Sequence, residues 1–185
     1  MNTDTTQQDK SKIRVAKQVP PGMRDRYTER VKKATFGESK SSGQEMITLE
    51  CEIIVPQFLV VDDKEYDLTS LDRKYYLSLG DTISPKTGKS PRDKTNSCLV
   101  LLGFEPLAKG EKPSEELLKK LNDKFCFDSI ITSTQKPVQR KDNKTGEYVD
   151  IKDNRGQTIY RGWELSNNSD DILYRVDEPA GASPY

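Results

Sequence analysis

Histidine is missing from all 185 residues. Its absence removes the commonest general base, the Ser-His-Asp arrangement, the Cys-His pair and the usual imidazole metal ligand. Cysteine is scarce: Cys51, Cys98 and Cys126 are odd in number, far apart, and belong to no Cys-x-x-Cys pair. A disulfide framework and a tetrahedral zinc site are both poorly supported, and the three read as small apolar residues in a reducing cytoplasm. No apolar run approaches the ~18 residues that span a bilayer, and residues 1–40 lack the apolar stretch of a secretion signal. The expectation is a soluble cytoplasmic protein, neither secreted nor membrane-spanning, without metal or cofactor.

Hydrophobic residues make up only 32% of the chain, so the core is expected to be modest, and one domain with flexible ends fits the length. Lys plus Arg and Asp plus Glu each number 30, which gives a net charge of zero. The distribution is uneven. Residues 1–40 hold ten cations against five anions (+5), residues 41–163 hold 19 against 20 (−1), and residues 164–185 hold one against five (−4). A basic arm and an acidic tail flank a near-neutral body, as expected when one end meets phosphate and the other a basic partner or the first end itself.

Along the chain, residues 1–20 lack periodicity and read as a flexible basic arm, with order beginning near Pro20-Pro21-Gly22. Residues 27–36 fit a strand with Val31 and Thr35 on one face and Lys32, Ala34 and Phe36 on the other. In MITLECEIIVP, Ile47, Leu49, Cys51, Ile53 and Val55 alternate with Thr48, Glu50, Glu52 and Ile54, the period of a strand with one face buried; Pro56 ends it. Further strands are expected at 58–61, 74–79, 125–134, 147–151 and 158–165. A short helix is expected within 92–103, stopped by Gly103, and another from Pro113-Ser114, with Leu117, Leu118 and Leu121 as its apolar stripe. The order is strands, helix, strands. It predicts a mainly β protein with one or two short helices: an OB-like antiparallel β-barrel over residues 21–165, with 166–185 an acidic tail.

Two strings carry a hint of chemistry. Asp62, Asp63, Glu65 and Asp67 form an acidic cluster that reads as a solvated turn, a divalent-ion site being the lesser reading because no spaced ligand loop ending in Glu is present. Thr87-Gly88-Lys89-Ser90 matches the end of a phosphate-binding P-loop, but Ile83 stands where a glycine belongs and Pro91 follows Ser90, so a surface turn is the expectation. No catalytic residue is assigned.

Basic and aromatic residues interleave elsewhere: Lys32, Lys33, Phe36 and Lys40 in the first strand and its loop; Arg73, Lys74, Tyr75 and Tyr76 in the middle; Arg140, Lys141, Lys144, Tyr148, Lys152, Arg155, Tyr160, Arg161 and Trp163 in the last hairpins. Single-stranded nucleic acid is held by cations that follow its phosphates and by aromatic faces that stack its bases. Lys32, Lys33, Phe36, Lys40, Arg73, Tyr75, Lys152, Arg155, Tyr160, Arg161 and Trp163 are therefore the candidate contacts. Asp170, Asp171, Asp177, Glu178 and the terminal Tyr185 are candidates for partner binding through the tail, or simply keep that end in solution.

The Pro-Gly entry, the Lys-Ser-Ser-Gly loop, the MITLECEI strand, LLGFEP, the SEELLKKLNDK helix, KFCFDSIITSTQ and the Lys-Thr-Gly-Glu hairpin together resemble the small OB-fold single-stranded DNA-binding proteins of bacteriophages. The likeness spans roughly residues 20–165 and is one of layout and short strings. It implies a non-catalytic protein that coats single strands in the host cytoplasm during phage DNA replication or recombination and recruits replication or recombination proteins through its tail. Carried over by position, it implies Lys32, Lys33, Phe36, Lys40, Lys152, Arg155, Tyr160 and Trp163 as contacts. This chain differs from that pattern in its near-neutral body and mildly acidic tail. A structural or adaptor protein of a phage particle or complex is the alternative. Oligomeric state and the choice between DNA and RNA stay open.

Overall fold

The computed structural model describes residues 13–179. In chain order the strands are β1 (Ile13–Ala16), β2 (Arg24–Glu38), β3 (Glu45–Val55), β4 (Phe58–Val61), β5 (Lys64–Asp67) and β6 (Arg73–Ser78). Helices α1 (Pro91–Leu101) and α2 (Glu115–Asn122) follow, then β7 (Cys126–Pro137), β8 (Gln139–Lys141), β9 (Tyr148–Asp150), β10 (Tyr160–Leu165) and β11 (Ile172–Val176). The protein is mainly β with two short helices, as the sequence predicts. No helix among the described residues is long and apolar enough to cross a membrane.

An antiparallel sheet runs β10-β7-β2-β3-β6, and β11 joins β7 along Cys126–Ser129, beyond the part of β7 that pairs with β10. No ladder joins β6 to β10, so the sheet is not closed into a barrel by strand pairing. A smaller sheet, β1-β5-β4, has β1 parallel to β5, and β8 and β9 form a separate hairpin.

Two bulges shift the faces that strict alternation predicts. In β2, Val31 pairs with Cys51 and Lys33 with Glu50, leaving Lys32 as an extra residue; Val31 and Ala34 then both point into the core. In β3, Glu29 pairs with Ile53 and Thr28 with Val55, so Ile54 is the extra residue. Ile54 is buried and Val55 exposed, the reverse of the expected assignment. Ile47, Leu49, Cys51 and Ile53 point inward as read from the sequence.

Both helix starts follow from their caps. Ser90 accepts the Asp93 N–H while Asp93 takes the Ser90 N–H, a capping box with Pro91 at the first helical position, where its missing N–H costs nothing. The Gly-Lys-Ser string is thus the entry to α1, and a helix does follow it. Ser114 caps α2, whose Leu117 and Leu121 are buried. Asp62 and Asp63, both left-handed at φ 49° and 61°, form the two-residue turn between β4 and β5, where the twist of the hairpin demands positive φ. Among the described residues no group of three or more side chains is arranged to hold a metal ion.

The buried residues form two apolar clusters. One packs Ile47, Leu49, Tyr75, Leu77 and Phe127 of the sheet with Leu99, Leu102 and Leu121 of the helical segment; the other gathers Met23, Tyr27, Ile53, Tyr66, Leu68, Leu71 and Ile131. Cys51, Cys98 and Cys126 are buried free thiols, the first two within the larger cluster, and burial pushes the Cys98 thiol up to about 12.

Residues 13–16 and 172–176 form strands inside the two segments expected to be flexible. β1 pairs with β5 from Ile13 onward, inside the stretch 1–20 assigned to a flexible arm. β11 lies in the segment assigned to the tail, and Ile172 is only 2% exposed in the larger cluster. Five residues of moderate hydrophobicity gave no recognisable period, yet β7 is long enough to leave Cys126–Ser129 unpaired on one side, and β11 fills that edge.

Candidate nucleic-acid interface

Between β7 and β10 the chain projects an arm, residues 138–159, built on β8 and β9. Its base is tied by three backbone bonds: Val138 donates to Ile159, Ile151 to Val138, and Ile159 to Ile151. Two turns of similar sequence form its tips, Lys141-Asp142-Asn143-Lys144-Thr145-Gly146 and Lys152-Asp153-Asn154-Arg155-Gly156. In the first, the Asp142 carboxylate accepts the N–H groups of Lys144 (2.7 Å) and Thr145 (3.2 Å). In the second, Asp153 accepts those of Arg155 (2.8 Å) and Gln157 (2.9 Å). Gly146 and Gly156 supply the positive φ that each tip needs, 74° and 78°.

This local chemistry leaves the cations unmatched. Each aspartate directs one oxygen, Oδ1, to two backbone N–H groups, and those bonds hold the Asp142 carboxyl below its ordinary range. Among the described residues, Arg140, Lys141, Lys144, Lys152, Arg155 and Arg161 make no ion pair, whereas Lys136 pairs with Glu164 at 3.3 Å. Tyr148 is 68% exposed on the arm and Tyr160 55% exposed where β10 begins. Many cations of the body are instead neutralised: Arg30 by Glu52 (2.6 Å) and Glu178 (2.7 Å), Lys74 by Glu50 (3.1 Å), Arg92 by Asp81 (2.6 Å).

The structure divides the sequence candidates into three groups. Lys152, Arg155, Tyr160 and Arg161 are exposed together on the arm and at its foot, and Trp163, half-buried, stands three residues further along β10. Lys32 and Lys33 are exposed at the β2 bulge, Lys40 in the β2–β3 turn, and Phe36 is half-buried against the larger cluster with the Lys112 ammonium 5.8 Å over its ring. These two groups are not brought together. Arg24 of β2 lies opposite Thr132, near β10, and Lys33 is nine residues further along, roughly 30 Å at ~3.3 Å per residue.

Arg73 and Tyr75 form the third group and correct the sequence reading. They are 2% and 0% exposed and turned inward by the alternation of β6, so neither is an exposed contact. Arg73 pairs with the buried Glu29 at 3.2 Å and donates to the carbonyl of Ser166, and Tyr75 donates to the same Glu29. Burial together with the Glu29 charge drives the Tyr75 phenol well above its ordinary value.

The acidic tail candidates are mostly engaged within the fold. Asp170 pairs with Lys94 (3.2 Å), Asp171 accepts the Ser166 hydroxyl (2.8 Å), and Glu178 pairs with Arg30 (2.7 Å). Asp177 is exposed, and Tyr185 lies outside the described residues. Arg140, Lys141, Lys144 and Tyr148 belong to the interleaved pattern but were not among the assigned contacts. The repeated Lys-Asp-Asn-(Lys/Arg) string is the signal that marks them, since each Asp in such a turn is occupied by its own backbone.

Between the outer edges of β6 and β10 the sheet leaves a cleft of about 530 Å³, lined in part by Lys17, Asp72, Lys74, Tyr76 and Trp163. A second cavity of about 400 Å³ adjoins it, and Lys17, Val19 and Trp163 border both. No family model, curated protein or solved structure matches this chain.

Proposed function

We propose that this chain is a non-catalytic single-stranded DNA-binding protein on an OB-like scaffold, acting in phage DNA replication or recombination. The arm carries the reading: five cations without an ion pair and the exposed Tyr148 lie on a segment whose base is fixed by backbone bonds, and Tyr160 and Arg161 follow at its foot. Cations outside any ion pair stay available to phosphate, and exposed phenol rings offer faces for bases.

The strand order supports the scaffold. Five strands in the order β10-β7-β2-β3-β6 have the neighbours of a partly open five-stranded Greek-key barrel, with β2, β3, β6, β7 and β10 as its first to fifth strands. In that layout the arm is the loop between the fourth and fifth strands, and the Lys40 turn is the loop between the first and second. Those are the two loops with which such barrels hold oligonucleotides, flanking the face of the second and third strands. The distance between the two candidate groups then fits a strand laid across β3 and β6.

The test is fluorescence anisotropy of a labelled dT oligomer, titrated at several salt concentrations against the wild type and a variant with Lys141, Lys144, Lys152 and Arg155 all changed to Ala. Each phosphate contact on a single strand contributes ~0.7 to the slope of log affinity against log salt, so the variant is expected to lose up to ~2.8 of that slope. No binding at low salt removes the proposal and leaves the adaptor reading.

A further inference from the structure

We infer that the cleft at the open seam between β6 and β10 is a nucleobase subsite, with Trp163 as its stacking surface. The inference rests on the DNA-binding reading and adds where a base goes. The charges around the cleft cancel within the protein. Arg73 is matched by Glu29, Lys74 by Glu50 and Glu164 by Lys136, so Lys17 and Asp72 remain, one of each sign. A cleft of no net charge has no electrostatic preference for phosphate; it suits the uncharged, flat part of a nucleotide.

The lining supplies what a base uses. Trp163 and Tyr76 offer ring surface, and Asp72 and Asn167 offer hydrogen-bonding groups for a base edge. Lys17 is held at the entrance by its backbone, in a left-handed conformation (φ 57°) with its N–H donated to Ser70 Oγ at 2.8 Å. The route from the arm is short. Tyr160 and Arg161 stand at the start of the strand whose later residues line the cleft, and a register shift between Tyr160 and Trp163 breaks the ladder there.

Gly162 lies on that route. It lines the smaller cavity beside Trp163, and a Cβ built on it meets no heavy atom within 4 Å. The absent side chain is therefore not demanded by packing, and bulk added there meets open space beside Trp163.

Trp163 is the only tryptophan in the chain, so its emission reports on this cleft and the cavity that adjoins it. The experiment follows tryptophan emission and anisotropy together, with a labelled dT oligomer and with thymidine monophosphate, for the wild type and Gly162→Leu. The expected result is quenching of Trp163 emission by the oligomer and an affinity about tenfold weaker for Gly162→Leu, with the same thermal midpoint as wild type. Quenching by the monophosphate as well would identify the base itself as sufficient; quenching by the oligomer alone would place the same base at the cleft only as part of a strand. Oligomer binding that leaves the emission unchanged, or that Gly162→Leu does not weaken, overturns the subsite while the DNA-binding reading stands. Absence of oligomer binding overturns both.

Discussion

The Arg73 guanidinium meets the Glu29 carboxylate at 3.2 Å in a polar layer that separates the two apolar clusters. Along β2, Tyr27 belongs to one cluster, Val31 to the other, and Glu29 stands between them. Along β7 the same holds for Ile131, Phe127 and Ser129, whose hydroxyl donates to Glu29. Arg73 also reaches the Ser166 carbonyl, so one side chain links the two edges of the sheet that no strand pairing joins. Two buried charges survive here because each has several partners, and no buried side-chain polar atom among the described residues is left without one.

Removing one partner of this pair is expected to be far worse than removing both. Arg73→Leu leaves the Glu29 carboxylate buried without its cation, a loss of ~3–5 kcal/mol. The double variant Glu29→Leu with Arg73→Leu is expected to recover much of that. Urea unfolding of the two singles and the double checks it; an additive double would refute the coupling.

Tyr75 sets an alkaline limit. Its folded pKa is raised above the unfolded value near 10, so its contribution is complete below pH 10 and is lost as pH rises beyond, where the unfolded chain releases the proton first. Thermal midpoints between pH 8 and 11 are expected to fall more steeply for wild type than for Tyr75→Phe. Equal slopes would mean that the phenol is not held protonated by the fold.

Lys32 is the extra residue of the β2 bulge, and its side chain is exposed. Lys32→Ala is expected to change stability by less than ~0.5 kcal/mol, as exposed positions do. Deleting Lys32 removes the bulge and leaves Val31 and Ala34 two residues apart, so both still face the core in a regular ladder against Cys51 and Leu49. That deletion is expected to lower the unfolding midpoint far less than deletion of Thr35, which lies in the regular part of the ladder and shifts the register beyond it; chemical denaturation of both variants decides the matter.

Ile172 tests whether the C-terminal segment belongs to the fold. Ile172→Ala is expected to cost ~2–4 kcal/mol, the range for a buried isoleucine, and truncation after Leu165 to cost more. Circular dichroism melts that leave either change without effect would return the segment to the status of a tail.

Residues with local signals were legible in the sequence. The alternation of Ile47, Leu49, Cys51 and Ile53, the Ser114 cap with its leucine stripe and the β-branched run 125–134 each carry their conformation in their own spacing. Lys152, Arg155, Tyr160 and Arg161 were legible as an exposed basic and aromatic group because the turns around them are set by nearby Asp and Gly.

Other assignments depend on partners far along the chain. Arg73 and Tyr75 look like Lys74 and Tyr76 in sequence; which pair faces water was decided by the pairing of β6 with β3 and by a carboxylate 44 residues away in the case of Arg73. The two bulges appear only when β2 and β3 are aligned, and β11 becomes a strand only because β7 offers it an edge.

By itself the sequence determined that histidine chemistry has no place here, that strands dominate, and that a turn-rich segment near residue 150 carries exposed cations, because composition and short-range periodicity suffice for each. Tertiary structure alone decided that the sheet's two ends face each other across a cleft beside Trp163, and that the acidic segment is pinned to Lys94 and Arg30. Those depend on contacts between residues tens of positions apart, for which no local pattern stands in.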